Sequence, residues 1–343
     1  MARRQIVLLL AFGLIVGAAR LEAADRVKLK AGNQSVGTVT QVSPTQVVVE
    51  LGATKREHAV NEIESITFDD EPNNLTQARF AVDTGRYDDA LELLGKINTR
   101  DVKRSVIAAD VGFYKAIAAA RQALAGQGSI ADAGRQLVTF ERANKDSYHY
   151  FEVCATLGDL LAAVGRAGQA ESYYDRLAAA PWPEYKMRAA VLAGRALVAQ
   201  KKFPEAIAKF DAALASESSD KLPQREKLAA LLGKASAMAG TGKTDEAVAS
   251  TEQIIAEADP EDQELHARAY NVLGNCHTAA GKKKEALIAF LHVDLLYSQF
   301  PNQHAEALAN LADLWNDVDK ADRAAQAKAL LKEKYPNSTW AQN

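Results

Sequence analysis

The chain has 343 residues, 48% of them hydrophobic and 25% charged, which is enough apolar content for a large core and too much for a disordered chain. Its formal charge of -3 and the lack of any run of five basic residues exclude the electrostatic footprint of a nucleic-acid binder. Nucleic acid is therefore not an expected partner.

The N-terminus reads as an address. Arg3 and Arg4 form a positive start, Ile6 to Ala18 is an apolar stretch of 13 residues, and small residues follow at Ala23 and Ala24. This is the pattern of a secretory signal peptide over residues 1–23, cut after Ala23 or Ala24, and it predicts an exported protein of the periplasm or cell envelope. The stretch is shorter than the roughly 20 residues that cross a bilayer, retention as an N-terminal anchor being the alternative. No cysteine sits at the cut for a lipid, and no later segment is apolar enough to span a membrane.

Residues 25–70 have period two and are rich in β-branched side chains: Val27 and Leu29, Val36 to Thr40, Val47, Val49 and Leu51, then Ile63, Ile66 and Phe68. Turn residues at Gly32-Asn33, Ser43-Pro44 and Gly52 separate the runs, predicting four or five short antiparallel strands in a small SH3-like or Sm-like β-domain. A unit of that size is marginal alone and is expected to pack on the first helices. Asp69-Asp70-Glu71-Pro72 marks its end.

From Asn74 the strand pattern stops and helical spacing takes over, interrupted by one turn written five times: Thr84-Gly85-Arg86, Val164-Gly165-Arg166, Gln200-Lys201-Lys202, Thr241-Gly242-Lys243 and Ala280-Gly281-Lys282. Each precedes an alanine. With weaker copies, these alanines stand at 90, 133, 170, 206, 247, 286 and 324, spaced by 43, 37, 36, 41, 39 and 38 residues. Seven units of this length are a repeat array. Gly158, Gly194 and Gly274 lie seven residues before the turn residue, Tyr174, Phe210 and Phe290 lie four after the alanine, and prolines at 181, 183, 260, 301 and 336 punctuate the unit ends.

This pattern resembles the tetratricopeptide-repeat (TPR) family over roughly residues 74–336, leaving 337–343 as a C-terminal tail. The resemblance implies a mainly α fold, a superhelical solenoid of about seven helix pairs behind the β-domain, with an extended concave face lined by each first helix. In the register it implies, Arg79, Gln122, Asp159, Arg195, Ser236, Asn275 and Asp313 point into that groove, and a second groove series seven residues earlier includes Glu152, Arg188, Arg268 and Glu306. Arg188 and Arg195 on one helix, and Arg268, Asn271 and Asn275 on another, are the candidate partner-binding residues, because guanidinium forks and amides pair with carboxylates and peptide main chain. Neighbouring Asp and Glu could equally occupy them. The family's carboxylate clamp, which needs basic and Asn residues at set positions in three successive repeats, is not reproduced.

Ala237 to Thr244 satisfies a loose phosphate-loop pattern, but it follows a helical stretch rather than a strand and is one of the five turns. His266, Cys276, His277, His292 and His304 cluster in sequence, yet no two share a helix face at close range. Cys154 and Cys276 fall three pairs apart, too far for a disulfide, and Cys154 reads as core. Trp182, Trp315 and Trp340 read as packing residues. No catalytic motif, metal set or cofactor site is expected. The function this predicts is an exported TPR scaffold of the cell envelope, similar in kind to bacterial ones, holding a protein or peptide on its concave face; the alternative is a structural protein that self-associates without a separate ligand.

Overall fold

The computed structural model describes residues 24–215 and 224–342; residues 1–23, read above as a signal peptide, and the polar stretch 216–220 lie outside the described residues. The alternating β-branched runs form β1 (Asp25–Leu29), β2 (Gln34–Val42), β3 (Gln46–Leu51) and β5 (Ile63–Thr67), joined by β4 (Thr54–Ala59) into an antiparallel sheet of order β4-β3-β2-β1-β5. The strand that the apolar runs do not mark is β4, which pairs with β3 from Gln46↔Ala59 to Leu51↔Thr54 and carries exposed Lys55, Arg56 and Glu57. Charges on an edge strand discourage pairing with another chain, and they also erase the alternation that would reveal it.

The sheet's inner residues, among them Val27, Val47, Val49 and Ile66, share one core with Leu75, Ala78, Ile107 and Val111 of the first helices. A polar lock adds to this. Buried Asp25 accepts hydrogen bonds from the Val39 and Asp69 N–H groups at 2.6 and 2.8 Å and from both Arg104 Nη atoms at 2.6 and 2.8 Å. Burial pushes its pKa up, but the Arg104 and backbone bonds outweigh that and hold it below the usual value. Further along, Asn61 Nδ2 donates to Glu184 at 2.6 Å, so the β-domain also reaches the fourth helix pair.

Seven helix pairs follow: α1/α2 (Asn73–Asp83, Tyr87–Gly95), α3/α4 (Ser105–Leu124, Ile130–Ala143), α5/α6 (Tyr150–Ala163, Ala167–Ala178), α7/α8 (Pro183–Ala199, Phe203–Leu214), α9/α10 (Gln224–Gly240, Thr244–Glu257), α11/α12 (Gln263–Ala279, Lys283–Leu296) and α13/α14 (Pro301–Asp317, Ala321–Lys334), then a short α15 (Thr339–Gln342). One device ends every first helix. Gly85, Gly126, Gly165, Lys201, Gly242, Gly281 and Asp319 all have φ between 58 and 86°. Each returns its N–H to the carbonyl three residues back, and the next residue returns its N–H to the carbonyl five back. This left-handed cap satisfies carbonyls that a helix end would orphan.

The expected glycine–aromatic contacts hold the pairs together. A Cβ on Gly158 would stand 2.3 Å from the Tyr174 ring, and one on Gly274 2.6 Å from Phe290. Phe210, fully buried, lies against both Gly194 of its own pair and Gly233 of the next, so one ring joins two repeats. Trp182 fills the gap below, packed against Phe151 and Tyr185. Cys154 and Cys276 are buried free thiols, as their spacing requires.

Each first helix touches the first helix of the next pair, from α1 against α3 through to α11 against α13, so the first helices line the inside of the curve. The curve is tight enough to meet itself. Asn337 N–H donates to the Gly126 carbonyl at 2.9 Å, which sets the end of pair seven over the turn of pair two. The charge of Glu264 in pair six likewise reaches Tyr87 in pair one. Five pairs thus complete a turn.

Candidate functional site

The concave face carries both signs of charge, and the candidate residues divide by what neutralises them. Arg188 Nη1 donates to Glu152 Oε2 at 2.7 Å, and Arg121 from pair two donates to the other Glu152 oxygen at 3.2 Å. Burial alone would raise the Glu152 pKa, but the two guanidinium groups hold it at about 2. Arg188, its own pKa raised chiefly by Glu152, is therefore occupied.

Asn271 and Asn275 are occupied as well. Asn271 Nδ2 donates to the Gln303 carbonyl at 2.9 Å and to Glu306 at 3.3 Å, while Asn275 Nδ2 donates to the other Glu306 oxygen at 2.9 Å. Both amides, on α11, thus hold one carboxylate of α13. The Asn271 Oδ1 is buried without a partner.

Arg195 and Arg268 differ from these. Arg195 is exposed on α7 and makes no hydrogen bond or close ion pair among the described residues, although Asp159 and Glu306 feel its charge. Arg268 on α11 reaches Glu264 at 3.0 Å through Nη2, but its Nε is buried with no acceptor. Burial, and then the charge of Arg195, push the Arg268 pKa down to about 10. Around them burial raises the pKa of Asp159 and of Glu306, in each case more than the nearby arginines lower it. Charge in this part of the groove is poorly solvated and incompletely paired.

Arg79, placed in the groove by register, is instead buried between the first two pairs. Its guanidinium bonds Glu71 at 2.7 and 2.8 Å and Asp110 at 2.8 Å, beneath the Phe68 and Tyr114 rings. Fully buried Asp110 also accepts from Tyr148 Oη at 2.7 Å and contacts His149 Nε2 at 3.1 Å. A lone carboxylate within the apolar stretch Val106 to Ala120 was the sequence sign of this network.

The remaining chemical candidates have structural settings. The phosphate-loop look-alike straddles the end of α9 and the start of α10, after a helix. His304 is buried between Tyr335 Oη at 2.8 Å and Asp294 at 2.9 Å, and His292 stacks on Tyr270. Among the described residues no three His, Cys, Asp or Glu are grouped as metal ligands, and no helix is long and apolar enough to cross a membrane. Surface clefts of about 330 Å³ beside Lys103 and Arg104, and of about 530 Å³ beside Phe80 and Arg86, involve none of the candidate residues.

The tetratricopeptide-repeat family model matches residues 155–223, 191–263 and 232–293. A Rap protein complexed with competence and sporulation factor has a similar fold, with a TM-score of 0.55 at 15% identity over 78% of this chain and 76% of that one. A tetratricopeptide repeat protein from Parabacteroides merdae aligns at 17% identity over 79% and 98% of the two chains, with a TM-score of 0.49. The apo quorum sensor NprR from B. thuringiensis aligns at 14% identity over 78% and 76%, with a TM-score of 0.44. No curated protein matches the chain in sequence. Residues 155–293 thus match the tetratricopeptide-repeat family model, and the flanking pairs repeat the same cap and stacking in a fold of the same kind.

Proposed function

We propose that this protein is an exported binding scaffold of the cell envelope, and that it holds a carboxylate-bearing peptide segment of a partner protein between α7 and α11. The observation that carries this reading is the pair Arg195 and Arg268, guanidinium groups of pairs four and six that feel each other's charge across the groove, with hydrogen-bonding capacity left over among the described residues. A carboxylate seated there would accept charge-assisted bonds and relieve the repulsion between them. The Rap protein of similar fold is complexed with a factor, in keeping with such a groove. Export rests on the signal-peptide pattern of residues 1–23. The family builds surfaces rather than reaction centres, so the role is binding and not catalysis.

The test is capture from envelope extract by the wild type beside Arg195→Glu/Arg268→Gln. The reading expects a partner held by the wild type and lost by the variant, with both equally folded. Equal capture by the two proteins contradicts it.

Self-association is the second reading, favoured by Ile288, Leu295 and Leu296 on α12, which are 58%, 73% and 59% exposed. Sedimentation decides this one: a monomer at all concentrations removes it.

A further inference from the structure

A solenoid behaves as a spring, because each repeat contacts only its neighbours and small rotations per repeat add up along its length. Its width is therefore soft unless something ties one turn to the next. Here the tie is visible. After α14 the chain does not leave the surface: Tyr335 is buried, its hydroxyl bonded to His304 and its carbonyl accepting from Ser338 N–H at 3.0 Å. From that root the segment crosses to pair two. Asn337 N–H donates to the Gly126 carbonyl at 2.9 Å, and Gln127 Nε2 donates to the Lys334 carbonyl at 3.3 Å.

The seat is fitted to the segment. Of the seven capping turns, Gly126 is the one glycine with company: a Cβ there would stand 2.7 Å from the Ser338 main-chain N, whereas at Gly85, Gly165, Gly242 and Gly281 nothing lies within 4 Å. Ser338 is only 6% exposed against it.

We infer that the segment 335–342 is a strap that ties pair seven to pair two and holds the groove narrow, and that its release widens the groove for entry of the peptide. This rests on the reading of the groove as the binding face, but its test needs no ligand. The bonds that Asn337 and Gln127 make across the turn are ordinary neutral hydrogen bonds, of a strength that partner binding can overcome. His304 and Asp294 fix the root of the strap, and the seat at Gly126 is the part that lets go.

The full-length protein is compared as wild type, Gly126→Ala, Gly165→Ala and Asn337→Pro. Gly165→Ala imposes the same left-handed backbone strain with no strap to displace. Asn337→Pro removes the donor at a residue whose own side chain is exposed. Two readouts follow opening: the radius of gyration by X-ray scattering, and the rate at which phenylglyoxal modifies Arg268, read by mass spectrometry. Gly126→Ala and Asn337→Pro should expand the molecule and speed modification of Arg268 by about fivefold to tenfold, the shift that loss of one ordinary hydrogen bond gives. Gly165→Ala should match the wild type in both. Equal behaviour of all four proteins, or equal opening by Gly165→Ala, overturns the strap. Failure of peptide capture alone would leave these readouts unchanged and would count against the binding reading instead.

Discussion

The Arg188 guanidinium is bound to Glu152 at 2.7 Å across neighbouring helix pairs. Arg195, on the same α7 helix and likewise on the concave face, has no such partner among the described residues. The two arginines therefore have separable roles. Arg188→Ala should lower the thermal midpoint, because it leaves Glu152 with Arg121 alone, while partner capture persists. Arg195→Glu should do the reverse. Thermal unfolding and capture measured on both variants check this, and loss of capture only in Arg188→Ala would reverse the assignment.

Glu152 also sets a pH dependence. Its pKa is about 2 in the folded protein against an ordinary 4.5, so its contribution is full above about pH 4.5 and fades as the pH falls toward 2. Allowing for the partial exposure of the cluster, that contribution is about 1–2 kcal/mol. Glu152→Gln should unfold at a lower temperature than the wild type at pH 7, with the gap closing near pH 2. Melting curves across that range test it; a constant gap would show that Glu152 contributes by packing rather than charge.

Asp110 should be the most sensitive polar position. Asp110→Ala strips partners from Arg79, Tyr148 and His149 at once and leaves a guanidinium in the core with Glu71 as its remaining carboxylate. Breaking a buried pair in this way costs about 3–5 kcal/mol. Hydrogen exchange should localise the loss to α1, α3 and the start of α5. Wild-type protection in those helices would contradict the network's role.

Two glycine substitutions should move stability in opposite directions. Gly194→Ala drives a methyl to 2.5 Å from the Phe210 ring, an overpacking that costs about 1–3 kcal/mol. Gly134→Ala, inside α4 with nothing within 4 Å, should instead gain about 0.5–1 kcal/mol from helix propensity. Denaturant midpoints measure both.

Most of the fold was legible because it is repeated. The cap that recurs from Gly85 to Asp319, and the glycine–aromatic pairs that follow it, leave a spaced signature that one sequence suffices to show. Less legible were features that occur once. Strand β4 hides behind its edge charges, and Arg79 occupies a groove position by register yet turns into the core because Asp110 waits there. Spacing can place a side chain on a face but not name its partner: Glu306, one helix pair on, holds both Asn271 and Asn275. The return of Asn337 to Gly126 is longer-range still, since it depends on the summed rotation of five pairs rather than on any local pattern.

The central claim is that Arg195 and Arg268 together hold a carboxylate of the partner. Calorimetric titration of the captured partner segment into the wild type and into Arg195→Glu/Arg268→Gln tests it most directly. Loss of two charge-assisted contacts predicts affinity weaker by about a hundredfold or more in the variant, at unchanged thermal stability. Affinities within threefold of each other would contradict the account.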